Sequence, residues 1–126
     1  MREFLFRGKR TDNGELITDS ETYIRDGDGI CLSDENLNVV TVIPETVGQY
    51  TGLTDKNGNK IFEGDILKAF GYIYVIMWDS IRAMFYLRDP VYRVTSDFYN
   101  YCGSDLSVIG NIHYNPDIIK GGGDNG

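Results

Sequence analysis

Two segments set oxygen-bearing side chains at short spacing: Asp26-Gly27-Asp28-Gly29 and Asp55-Lys56-Asn57-Gly58-Asn59. Such runs could open a calcium loop, which also needs further oxygens and a bidentate Glu at its twelfth place. Counted from Asp26 that place holds Leu37, and from Asp55 it holds Ile66, so both segments read as plain turns. Glu63 and Asp65 could form a carboxylate pair for acid–base work, yet nothing around them predicts a perturbed pKa, and a turn role suffices. His113 is the sole histidine, and no G-x-S-x-G or comparable nucleophile motif accompanies it, so it reads as structural. Cys31 and Cys102 form no C-x-x-C pair, and with one histidine a Cys/His zinc site would be short of ligands; they read as reduced thiols of a cytosolic protein. That leaves Phe98, Tyr99 and Tyr101, three aromatics in a polar stretch. They either fill the core or, if exposed, anchor a protein partner. No catalytic residue, metal ligand or cofactor site is expected, and the chain reads as a non-enzyme.

Charge narrows the partner. Residues 1–11 sum to +3, residues 12–35 to −7, and the remainder to −3, for a net −7. Binding to phosphate backbones needs a basic field that displaces counterions, so direct nucleic-acid binding is not expected. The acidic segment reads as solvated surface, with binding to a basic partner or mimicry of a nucleic acid as the minor alternatives. Met1 leads straight into Arg2-Glu3-Phe4 without an apolar run, so no signal peptide is expected, and Ala69–Trp78 is too short to cross a bilayer.

The elements that would position these residues are strands. With 126 residues, fifteen Gly, nine Tyr and six Phe, the chain suits short strands joined by tight turns. Glu3–Arg7 reads as a first strand closed by Gly8, and Asn13-Gly14 turns it into Glu15–Thr18. Thr22–Arg25 and Gly29–Leu32 flank a turn, and the β-branched run to Ile43 follows. Pro44–Val47 is the one place for a helical turn. Tyr50–Leu53 leads into the Asp55–Gly58 hairpin, Lys60–Phe62 follows, and Glu63-Gly64-Asp65 reverses the chain. Ile66–Ala69, Tyr72–Trp78 and Arg82–Leu87 read as strands, Tyr72–Trp78 being apolar on both faces and so central, with Trp78 buried. Ser96–Tyr101 could form a short helix. Leu106–Tyr114 closes the fold with a bulge at Gly110. The fold class is therefore all-β: a short-stranded barrel or sandwich of about nine to ten strands, an SH3-like barrel among the forms, with very little helix. One domain is expected over residues 1–118, with a flexible Gly-rich tail at 119–126.

The run from Val42 to Leu53, followed by Asp55-Lys56-Asn57-Gly58 and Ile61-Phe62-Glu63-Gly64-Asp65-Ile66, resembles the central signature of the YopX-like proteins. The opening Arg2–Arg10 with Asp12-Asn13-Gly14-Glu15 is similar to that family's start. Val75, Trp78 and Asp79 match its middle strand, and Val108-Ile109-Gly110-Asn111-Ile112 with Asn115-Pro116 matches its close. The resemblance spans nearly the whole chain. It implies an all-β protein of a temperate bacteriophage or prophage, acting in the cytoplasm of the bacterial host. It carries no catalytic residues or cofactor to transfer. The expected function is that of an accessory protein working through protein–protein interaction or self-assembly as a homo-oligomer. The alternative is a nucleic-acid-associated β-barrel, or an acidic DNA mimic acting on a host DNA-binding protein.

Overall fold

The computed structural model describes residues 4–69, 71–90 and 106–119, and the backbone of 95–97. The chain is all-β, with twelve strands among the described residues and antiparallel pairing wherever the register is defined. It folds as two compact units, Met1–Gly52 and Leu53–Gly126.

The first unit holds β1 (Phe6–Lys9), β2 (Leu16–Ser20), β3 (Tyr23–Asp26), β4 (Gly29–Ser33) and β5 (Val39–Val42). It also holds the start of β6 (Gly48–Thr54), which carries the chain into the second unit. β1 lies between β2 and β6, and β4 lies between β3 and β5. Ile17, Ile30, Leu32 and Val42 form the core, with Phe6, Val40 and Val47 packed against it. Burying such side chains contributes roughly 1.5–3 kcal/mol each. Gly8 sits inside β1 rather than ending it. A Cβ there would stand 3.3–3.4 Å from Val47, Leu32 and Val42, so the missing side chain lets the strand lie against the core. The helical turn falls where expected, at Pro44–Thr46.

In the second unit, β7 (Lys60–Phe62) neighbours β6 across the Asp55–Asn59 turn. The five-stranded sheet has the order β11 (Thr95–Asp97), β10 (Met84–Arg88), β9 (Tyr72–Asp79), β8 (Asp65–Ala69), β12 (Ser107–Asn111). Ile61, Leu67, Ala69, Ile76, Phe85, Leu87 and Leu106 make its core.

The structure departs from the sequence expectation at three further places. Thr95–Asp97 is a strand paired with β10, where the sequence suggests a helix beginning at Ser96; the ladder gives its backbone groups partners. The closing strand ends at Asn111, because the Asn111 carbonyl accepts from Tyr114 and Asn115 N–H and turns the chain. Trp78 is 41% exposed, not buried. β9 is central only along its middle, at Val75 and Ile76, and Trp78 lies one residue before its end with one ring edge against Phe85.

Candidate functional site

Phe98, Tyr99, Tyr101 and Cys102 lie outside the described residues, as do residues 120–126 of the expected tail. Cys31 is half-buried in β4, where its Sγ meets Thr41 Oγ1 at 3.7 Å. Asp26 and Asp28 flank Gly27, a turn residue at φ +61°. His113 sits in the turn after β12, its N–H donating to Asn111 Oδ1.

The signature residues are tied to one another. Asp55 is buried and accepts through Oδ1 from Asn57 N–H (2.9 Å) and Asn59 N–H (2.8 Å). Its Oδ2 accepts from Val108 N–H (2.9 Å) and Asn59 Nδ2 (3.2 Å). Lys56 N–H donates to the Leu106 carbonyl. Burial would push the Asp55 carboxyl up, but the bonds from Val108, Asn59 and Asn57 outweigh it and hold the carboxyl below the usual aspartate range. Asp65 is wholly buried; Phe62 N–H and Asn111 Nδ2 donate to it at 2.8 and 3.0 Å. Gly64, at φ +88°, lies under Asn111 and His113, where a Cβ would come within 3.4–3.5 Å of their side chains. At Gly110 a Cβ would stand 2.6 Å from Ile118 and 3.1 Å from Asn115 Oδ1, so the glycine lets the closing turn fold back; the bulge itself falls at Ile109. Carboxylates spent on backbone N–H groups in this way brace the fold, which explains a signature without visible chemistry.

The first unit contains a second copy of one of these loops. Asp34 Oδ1 accepts from Asn36 N–H (3.0 Å) and Asn38 N–H (2.8 Å). Asp34 N–H donates to the Asn38 carbonyl and Leu37 N–H to the Asp34 carbonyl, just as Asp55 N–H serves Asn59 and Gly58 N–H serves Asp55. Both loops read Asp-x-Asn-x-Asn with positive φ at the fourth place. That place is Gly58 in one and Leu37 in the other, and Leu37 is 83% exposed.

Beside this loop runs a groove of about 370 Å³ lined by Glu15, Leu16, Ile17 and Thr18 along β2, by Asp34, Glu35 and Asn36, and by Arg10. Arg10 is clamped by Asp12 through two bonds of 2.9 Å, with Asp34 Oδ2 at 4.0 Å, and these carboxylates raise its pKa. A smaller, apolar hollow of about 290 Å³ in the second unit is lined by Val75, Met77, Arg88, Pro90, Ile112 and Ile119. Sequence reasoning treats the acids of residues 12–35 as solvated surface and misses the groove. The signal was the echo of Asp55–Asn59 in Asp34–Asn38, which marks a shaped loop inside the acidic stretch.

The family model described as YopX protein matches residues 5–120. Protein EF1440 from Enterococcus faecalis, known from a crystal structure, superposes with a TM-score of 0.62 at 24% identity, covering 94% of this chain and 99% of that one. This likeness concerns the fold alone. No curated protein matches the chain.

Proposed function

The chain belongs to the YopX family, and from that premise we propose that it is a non-enzymatic accessory protein of a bacteriophage or prophage. In this reading it acts in the host cytoplasm by binding another protein or by assembling with itself. The observation that carries the proposal is the exposure of individual bulky apolar side chains at or near turns. Ile81, at the tip of the β9–β10 hairpin, is 94% exposed, Leu37 is 83% exposed, and Trp78 and Tyr72 are exposed on β9. Single exposed apolar residues are ordinary, but bulky ones at turn tips, where polar residues serve the turn better, suit an interface. The buried signature carboxylates Asp55 and Asp65 accept backbone hydrogen bonds, a bracing role that needs no catalysis. Net charge −7 opposes direct contact with DNA or RNA.

Affinity capture from bacterial lysate, with light scattering across micromolar concentrations, tests the reading. The expected result is a specific partner or a defined oligomer that Ile81→Asp or Leu37→Asp weakens while the melting temperature holds. A monomer that retains nothing beyond background would overturn it.

A further inference from the structure

We propose that the groove beside β2 takes an extended segment of a partner protein that adds as a strand to β2 and sets Arg or Lys side chains against Glu15, Asp34 and Glu35. This inference rests on the reading that the chain works by binding protein, and it specifies the surface and the class of partner.

Backbone geometry supplies the first reason. β2 is an outer strand of its sheet, with β1 on one side. Arg10 N–H donates to the Glu15 carbonyl, and the two-residue alternation of an antiparallel ladder then turns the backbone groups of Leu16 to the open side. An unpaired edge of this kind is a template for an added strand, whose main-chain bonds supply affinity while its side chains supply choice. Thr18 and Asp19 both stand opposite Arg7 in the register, with Asp19 at φ +57°, so a bulge ends the regular edge and keeps the docking stretch short. Two other outer strands, β5 and β12, are engaged along their free sides. β5 is bordered by Lys9–Thr11, through Ile43 N–H to the Lys9 carbonyl and Thr11 N–H to the Thr41 carbonyl, and β12 is bordered by the Asp55 turn.

Charge chooses the occupant. The groove carries three carboxylates against one guanidinium, a net −2, and that guanidinium is already held by Asp12. Among the described residues, Glu15 and Glu35 form no salt bridge. An incoming Arg therefore finds carboxylates at hand, and an acidic segment is repelled. Leu37, one residue beyond the groove lining, is exposed at positive φ where the matching loop carries Gly58. Leucine at that backbone conformation costs stability, and an apolar anchor beside the charged groove gives it a use.

The test uses the full chain and a fluorescein-labelled nine-residue peptide of alternating Arg and Val, with its Glu-for-Arg counterpart as control. Fluorescence anisotropy at low and physiological salt should show binding of the Arg peptide, and NMR should place the largest shift, and slowed exchange, at the Leu16 amide. Glu35→Lys should weaken binding about fivefold to tenfold, and Leu16→Pro, which removes an outward N–H from an edge strand, should weaken it at least as much. Asp117→Lys makes the same change in net charge on the second unit and should leave the affinity unchanged. Equal losses in Glu35→Lys and Asp117→Lys, an undisturbed Leu16 amide, or equal binding of the acidic peptide would each overturn the proposal. So would a dimer that Leu16→Pro dissociates without any response to the Arg peptide. If these probes fail while lysate capture still retains a partner, this inference falls and the interaction reading stands.

Discussion

The paired loops give an internally controlled experiment: Asp55→Asn against Asp34→Asn. In both loops one carboxylate oxygen accepts two backbone N–H bonds, and an asparagine oxygen could keep those. The loops differ at the second oxygen. That of Asp55 accepts from Val108 N–H and Asn59 Nδ2, so an amide nitrogen there would face two donors; that of Asp34 faces Arg10 at 4.0 Å. Turning the introduced amide over only moves the conflict to the other pair of N–H groups. Losing a charge-assisted bond costs about 1.5–3 kcal/mol, and a stranded donor adds to it, so Asp55→Asn should destabilise by about 3 kcal/mol. A long, partly exposed ion pair is worth under about 1 kcal/mol, which sets the cost of Asp34→Asn. The pH dependence has a definite sign. The folded-state pKa of Asp55 lies below its ordinary value of 3.8, so its stabilisation is complete above that value and is lost as pH falls through the folded one. Urea denaturation at pH 7 and near pH 3 reads both effects. The gap between Asp55→Asn and wild type should shrink in acid. Equal costs for the two substitutions, or a gap that widens in acid, would refute the argument.

Leu37→Gly should stabilise the chain by about 0.5–1 kcal/mol, because it relieves a left-handed leucine that buries little; a lower denaturation midpoint would contradict this. Gly58→Val, at φ +84° with open space around it, should cost about 1 kcal/mol or more through backbone strain alone, and an unchanged midpoint would count against it. Trp78→Ala should cost about 2 kcal/mol, below the range of a fully buried aromatic, since only part of the ring is covered. The sole tryptophan should accordingly emit at a wavelength between buried and fully solvated indole, and a strongly blue-shifted spectrum would show the ring to be enclosed.

Most of the strands are legible in the sequence because turn residues announce themselves locally. Asn13-Gly14, Gly27, Asn57-Gly58, Gly64 and Gly71 mark reversals, and all five glycines have positive φ. What escapes is set by contacts distant in sequence. Gly8 reads as a stop, yet it is a gap shaped by Leu32, Val42 and Val47. Asp65 reads only as a turn residue, yet Asn111, forty-six positions away, donates to it in the interior. Alternation suggests a buried Trp78 but cannot show where β9 leaves the cover of its neighbours. The groove is illegible for the same reason: Glu15 and Glu35 come together only when β2 and the Asp34 loop pack, and composition shows just an acidic stretch. The candidate aromatics Phe98, Tyr99 and Tyr101 fall outside the described residues, so their role remains an expectation from sequence.

The bonds from Val108 to Asp55 and from Asn111 to Asp65 also order events at the ribosome. Every ladder partner of β1 to β5 lies within the first fifty-two residues, so those strands have their partners early in synthesis. The second unit completes its polar interior only once β12 has emerged, because until then Asp55 and Asp65 each lack one of the donors that compensate their burial. A chain cut short before Leu106 would leave both carboxylates with an incomplete set of donors. Such a fragment should be less stable than the intact chain and more readily degraded.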